Sequence, residues 1–381
     1  MGMEHQRIRR LRGVPPVRRE ARQSRLKVLF IAYPLLTVSE ASAGGAEQVL
    51  WGLERELHSL GHETWVAAST GSQVSGRLVS TGEAAAEPEQ LPQREQEMRD
   101  TVAALLSTES FDCVHDMSGM WWRYSAEVEE PVLATLHLPR SFYPSGTFDL
   151  CPENVFFNCV SRTEMITFGE LPRMLDPVPN GIALDRFMAE PPLPRERRKY
   201  LLWLGRICEE KGPHYALDVA FAAEEKMILA GTVYPFLYHQ KFYAREVLPR
   251  IRRSRQSAKV VSEPSLGEKL SLLRNAKALM ITSTAPETSS MVAMEAAACG
   301  TPVIALDSGA IREVMRESVT GWIGSDLEHL RSLLPLISEI NPDDCVRHAE
   351  QHYSAATMAR RYEECYRRLL RAEPKPVSLN A

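Results

Sequence analysis

The chain has few of the features that mark membrane spans, disulfide scaffolds or nucleic-acid readers. Its longest apolar run, residues 28–36, is nine residues long and contains Pro34, whereas a spanning helix needs about 20. The same run starts too far into the chain, with the wrong flanks, for a signal peptide. The seven cysteines are scattered and odd in number, and none are spaced as Cys-x-x-Cys. They read as reduced, mostly buried thiols of a cytoplasmic protein. No His/Cys/Asp grouping has metal-ligand spacing, so no metal site is expected. No Gly-x-Ser-x-Gly elbow is present. A net charge of −4, from 45 basic and 49 acidic residues, gives no global attraction to nucleic acid.

The 381 residues, 44% hydrophobic and 25% charged, suit two folded domains that bury cores without disulfides. Residues 1–25 stand apart, with eight arginines against two glutamates and no apolar periodicity. They read as a disordered basic arm. A contact with an anionic membrane surface, hence a peripheral place at the inner membrane face, is one expectation for it. A merely solvated extension is the other.

The fold begins at Leu26, with an apolar run to Ala32 that suits a strand buried on both faces. Glycines 44 and 45 follow, then a helix with Val49, Leu50, Leu53, Leu57 and Leu60 on one face. Further strands are expected at 64–68, 113–115, 132–136 and 155–160, with a helix at 95–107 between them. A second alternating series follows the proline-rich stretch 191–194. Its strands are expected at 200–204, 226–230, 259–261, 278–282 and 302–306. Its helices are expected near 213–224, 239–253, 266–275, 290–299 and 310–316. Alternation of this kind implies parallel sheets covered by helices. The expected architecture is therefore α/β. An N-terminal domain spans 26–185, a C-terminal domain spans 196–350, and a helix at about 354–371 packs back on the first domain.

The densest chemistry lies between Ser283 and Pro302. A strand end leads into a loop with Glu287, then Ser289 and Ser290 as helix caps, then a helix carrying Glu295 and closed by Gly300. Ligands of open α/β sheets bind outside strand carboxyl ends. Free N–H groups at such a helix start hold phosphates or hydroxyls, and carboxylates accept paired hydroxyl donors. A second cluster runs from Tyr200 to Gly212. Gly205 turns the chain there, and Arg206 and Lys211 follow the strand as cations suited to a departing diphosphate. The Gly44-Gly45 turn permits close approach to backbone N–H groups. It is neither a dinucleotide fingerprint nor a P-loop. His137 ends the strand at 132–136 and so points to the cleft, although strand-end histidines are commonly structural.

In these blocks the chain resembles the glycosyltransferases of family four, the retaining, nucleotide-sugar-dependent GT-B class with two Rossmann-like domains facing across a cleft. The matching segments are Gly44-Gly45-Ala46-Glu47, Val178-Pro179-Asn180-Gly181-Ile182 with Phe187, and Leu204-Gly205-Arg206 with Glu210-Lys211-Gly212. The fourth is the Glu287-to-Glu295 spacing before Cys299-Gly300-Thr301-Pro302, with Thr320-Gly321-Trp322 trailing. The resemblance covers about residues 26–370.

It implies that Arg206 and Lys211 bind the donor diphosphate, Glu287 the sugar hydroxyls and Glu295 the ribose. It places the Ser289, Ser290, Met291 and Val292 backbone against sugar and phosphate, Gly44 and Gly45 beneath the diphosphate, and His137 near the reacting sugar. The implied reaction moves a hexose-like unit from a nucleotide-diphosphate sugar, a co-substrate rather than a cofactor, to a hydroxyl acceptor without metal. Two departures stand out. Ser289-Ser290-Met291 replaces the usual Phe-Gly-Leu, which narrows the space beside the sugar. His115-Asp116-Met117 keeps only the first histidine of a His-x-His. A nucleotide-sugar epimerase, a non-catalytic nucleotide-sugar binding module and a membrane adaptor remain as rival readings.

Overall fold

The computed structural model describes residues 25–254 and 256–371. The expected basic arm lies outside them, apart from Arg25, which pairs with Glu63 at 3.2 Å.

The first domain runs β1 (Lys27–Ile31), α1 (Gly45–Ser59), β2 (Glu63–Ala68), β3 (Arg77–Ser80), α2 (Leu91–Leu106), β4 (Cys113–Asp116), β5 (Val132–Leu136), β6 (Val155–Cys159) and α3 (Arg162–Phe168). The second begins with α4 (Leu184–Phe187), β7 (Tyr200–Leu204), α5 (Pro213–Ala222), β8 (Met227–Gly231), α6 (Leu237–Phe242), α7 (Leu248–Arg253) and β9 (Ala258–Ser262). It continues with α8 (Leu266–Asn275), β10 (Ala276–Ile281), α9 (Met291–Ala298), β11 (Val303–Leu306), α10 (Ile311–Val314), β12 (Gly321–Gly324), α11 (Leu327–Leu333) and α12 (Pro342–His352). The last helix, α13 (Ala355–Arg371), lies on the first domain.

Both sheets have six parallel strands, ordered β3-β2-β1-β4-β5-β6 and β12-β11-β10-β7-β8-β9. Counted within each domain these are the same doubly wound order. Each sheet therefore reverses direction once, between β1 and β4 and between β7 and β10, and such switch points open a crevice at the strand carboxyl ends. The central strands are nearly all apolar because helices cover both faces.

Several details differ from what the sequence implies, and the main ones have local reasons. The edge strands β3 and β12 carry too few apolar residues to register as strands. The expected helix at 239–253 is interrupted by a π-helical turn at Tyr243–Val247. Pro249, just beyond it, has no N–H for a regular i→i−4 bond. The expected helix at 310–316 is the single turn α10. The polar helices α11 and α12 lie in a stretch where the sequence reading placed no element.

The chain crosses between the domains twice, and the two crossings pair. Val178 belongs to the first core and Ile182 to the second, whereas Tyr353 belongs to the second and Ala355 to the first. The Ile182 N–H donates to the Tyr353 carbonyl at 2.8 Å, and the Ala355 N–H donates to the Ile182 carbonyl at 3.0 Å. Gly181 permits this approach, since a Cβ there would lie 2.6 Å from the Ser354 carbonyl oxygen. α13 is then fixed by an internal polar link. The His115 ring, fully buried on β4, meets the Tyr366 hydroxyl at 2.8 Å through Nδ1 and Thr135 Oγ1 at 2.7 Å through Nε2. This retained histidine of the shortened His-x-His thus joins α13 to the sheet. Its neighbour Asp116 caps the following loop by accepting the Ser118 and Trp122 N–H groups, both at 2.8 Å.

Candidate functional site

A cavity of about 650 Å³ lies between the domains at the carboxyl ends of both sheets. The first domain contributes the loop after β1 and the start of α1, including Gly44, Gly45 and Gln48. The second contributes the ends of β7, β8, β9 and β10 and the first turns of α9. Eleven of the twelve candidate residues line it: Gly44, Gly45, Gly205, Arg206, Lys211, Glu287, Ser289, Ser290, Met291, Val292 and Glu295.

His137 stands beside the cavity rather than in its wall. Its carbonyl accepts the Thr288 hydroxyl at 2.9 Å, which links β5 to the loop before α9. Its ring is partly buried, with Nε2 enclosed and unpartnered. Burial pushes the imidazole down to about 4, so the ring is neutral at physiological pH.

The loop after β7 holds both expected cations. Gly212 adopts the left-handed conformation, φ 66°, and a Cβ there would lie 2.1 Å from the Thr282 carbonyl. That approach packs the Lys211 turn against the end of β10. Lys211 Nζ then donates to Glu287 Oε1 at 2.7 Å, and the Ser283 hydroxyl donates to the same oxygen. Glu287 is buried while Lys211 is about one-third exposed. The Arg206 guanidinium lies 5.3 Å from the centre of the Tyr234 ring and 3.4 Å from Glu210 Oε1, while its Nε has no partner.

Glu295 is not a solvated helix residue. Its carboxylate is 2% exposed, and Oε1 accepts from Lys269 Nζ at 2.6 Å. Oε2 is buried without a partner, so one oxygen is held and the other is free for a hydroxyl of a ligand. Ser290 takes the N-cap position of α9 but makes no capping bond, and its hydroxyl is buried and unpartnered. The first N–H groups of α9 therefore face the cavity without a side-chain acceptor, a ready site for phosphate or sugar oxygens.

Among the functional groups the candidate list lacked are Lys269 and Tyr234 in the cavity wall and Glu47 beside it. Lys269 and Tyr234 come from a helix and a strand end with no motif, so only the fold reveals them. Glu47 is part of the glycine block, and its carboxylate folds back over Gly44. Burial pushes it up to about 7, against the pull of Arg206 across the cleft. The fold also gathers Cys208, Glu210 and His239, which their sequence spacing did not suggest.

Residues 186–329 match the family described as glycosyl transferases group 1. That segment, 144 of the 381 residues, resembles the group 1 glycosyltransferases. All the candidate residues of the second sheet's side of the cavity lie inside that segment. AviGT4, a glycosyltransferase involved in avilamycin A biosynthesis, is 25% identical over 91% of this chain and 98% of its own, with a TM-score of 0.66. Sucrose-phosphate synthase from Thermosynechococcus elongatus shares the fold at 16% identity, covering 91% of this chain and 99% of its own, with a TM-score of 0.74. HepE from Anabaena, solved in complex with UDP-glucose, does so at 16% identity over 90% of this chain and 100% of its own, with a TM-score of 0.70. No curated protein matches in sequence. The chain thus has GT-B architecture with a donor-side segment that matches the group 1 glycosyltransferases, and among the described residues no helix is long and apolar enough to cross a membrane.

Proposed function

We propose that this chain is a glycosyltransferase that moves a hexose-like unit from a nucleotide-diphosphate sugar to a hydroxyl acceptor with retention of anomeric configuration, as in family four. The observation that carries the reading is the meeting of Arg206, Lys211, Glu287, Glu295 and the uncapped start of α9 in one cavity walled by both domains. HepE was solved with UDP-glucose, which supports the donor class.

In this reading Glu295 Oε2 receives a ribose hydroxyl while Lys269 holds Oε1. The α9 N–H groups and the Ser290 hydroxyl receive sugar and phosphate oxygens. Arg206 and Lys211 take the charge that grows on the leaving diphosphate, so the phosphates need no divalent cation. The diphosphate draws Lys211 partly from Glu287 and leaves that carboxylate to orient sugar hydroxyls. A covalent double displacement would need a carboxylate at the far face of the anomeric carbon. On the first domain's side Glu40 pairs with Arg186 at 2.9 Å and Glu47 is folded against Gly44. We therefore favour front-face attack, with the leaving phosphate taking the acceptor proton. His137, neutral, contributes position through its carbonyl's bond to Thr288 rather than charge. In this reading the protein acts in the cytoplasm, with residues 1–25 either a solvated extension or a contact with an anionic membrane face.

Thermal stabilisation against UDP, GDP, ADP and TDP sugars tests the donor site, alongside Glu295→Ala. A true donor at a hundredfold excess over its Kd stabilises by about 2.7 kcal/mol, and the variant loses the effect. Turnover should be the same with and without Mg²⁺ or Mn²⁺, and the product anomer read by NMR should match the donor's. No response to any nucleotide sugar would overturn the reading.

A further inference from the structure

Beside Arg206, among residues that do not line the cavity, three potential metal ligands converge. Cys208 follows β7, Glu210 lies in the next turn, and His239 sits on α6. Their ligand atoms all lie within 4.8 Å of one another. Cys208 and His239 are completely buried, and Glu210 is partly so.

The His239 ring points to a ligand independently of this clustering. It is 0% exposed, and neither ring nitrogen has a hydrogen-bond partner. Its Nε2 is 3.8 Å from Glu210 Oε1, beyond hydrogen-bond range. Tyr234, Phe236 and Tyr238 enclose the ring with centroids 6.1, 5.3 and 4.1 Å away. A buried imidazole without partners is a costly arrangement that a bound group would relieve.

We propose that Cys208, Glu210 and His239 form a site for a transition-metal ion of the zinc class, with water in the fourth position. A thiolate, an imidazole and a carboxylate are the donor set that suits this ion. Binding forms bonds to Cys208 Sγ, a Glu210 oxygen and His239 Nε2. It releases the Cys208 thiol proton, which now faces the Arg206 carbonyl at 3.4 Å. The two anionic ligands offset the divalent charge, so the ion can sit beside the Arg206 guanidinium without net repulsion.

The ion also changes the cavity. Glu210 Oε1 lies 3.4 Å from Arg206 and 3.8 Å from His239 Nε2. Drawing it toward the metal removes the counter-charge of Arg206 and leaves the guanidinium for a diphosphate. The site is thus structural and modulating, and it lies apart from the phosphates themselves.

The test uses the full chain without a polyhistidine tag, loaded with Zn²⁺ or Co²⁺ and freed of excess metal. Elemental analysis should find one equivalent retained, and the Co²⁺ form should show a thiolate-to-cobalt charge-transfer band in the near ultraviolet. Cys208→Ser should abolish that band, and His239→Ala should weaken retention by more than about tenfold. Cys208→Ser removes no packing volume of note, so it keeps the test valid if His239→Ala fails to fold. No retained metal in the unaltered chain, or a band that survives Cys208→Ser, would overturn the proposal.

Discussion

Breaking the Glu295–Lys269 pair separates what the site does for stability from what it does for the donor. The carboxylate is 2% exposed, the ammonium 14%, and they are 2.6 Å apart. Removing one partner of such a pair leaves a buried charge and costs about 3–5 kcal/mol, whereas replacing both by apolar groups of similar volume is often near neutral. The residual exposure of Lys269 and its place 5.5 Å from the Phe187 ring soften the loss, so we expect about 3 kcal/mol for Glu295→Leu or Lys269→Met alone. In a domain of this size 1 kcal/mol moves Tm by roughly 2–4 °C, so each single variant should lose roughly 6–12 °C. The double variant should recover to within about 1 kcal/mol of the parent. Donor stabilisation should nevertheless stay absent in it, because Oε2 is gone with the carboxylate. The assay is a thermal melt of all four proteins, with and without the nucleotide sugar that stabilises the parent. Single variants that melt within about 2 °C of the parent, less than 1 kcal/mol, would refute the buried pair. A double variant that still responds to donor would refute the role of Glu295.

Glu47 gives the chain a pH signature. Its carboxyl is raised by burial from 4.5 to about 7, so the folded state holds a proton that the unfolded state has released. Stability therefore falls as pH rises from about 4.5 through 7, by roughly 3 kcal/mol in all. Glu47→Gln should remove that slope and melt higher than the parent at pH 8; parallel Tm profiles across pH 4.5–8 would refute it. Gly181→Ala places a Cβ 2.6 Å from the Ser354 carbonyl oxygen and should cost about 1–3 kcal/mol by crowding the paired crossings. A urea melt that shows no shift would mean the crossings have room to separate.

The parts of this molecule legible in the sequence are those whose signal is local. β1, β7 and β10 announce themselves as apolar runs because both faces are covered. Arg206, Lys211, Glu287 and Glu295 were readable because strand ends and helix starts project side chains into the crevice of a doubly wound sheet. The edge strand Arg77–Ser80 was not, since one side of it meets solvent and its residues show no alternation. The partners were equally hidden. Lys269 is 26 residues from Glu295, and His239 is 29 from Glu210, so only the folded chain brings either pair together. Likewise Ser290 looks like a capping residue in sequence, yet its hydroxyl makes no cap. Residue type sets what a side chain can bond, and the backbone around it decides whether it does.

The double crossing also sets an order of events during synthesis. Residues 182–353 form a contiguous unit, so the second domain has its whole sequence at hand before α13 emerges from the ribosome. The first domain does not: Val49, Leu53 and Leu57 share a core with Met358, Tyr362 and Leu369, and His115 waits for Tyr366, 251 positions later. The domain that starts the chain is therefore the one that finishes last. A nascent chain stopped before residue 355 would carry a completed inner domain and an outer one with an open apolar groove, the form a chaperone or a protease meets first.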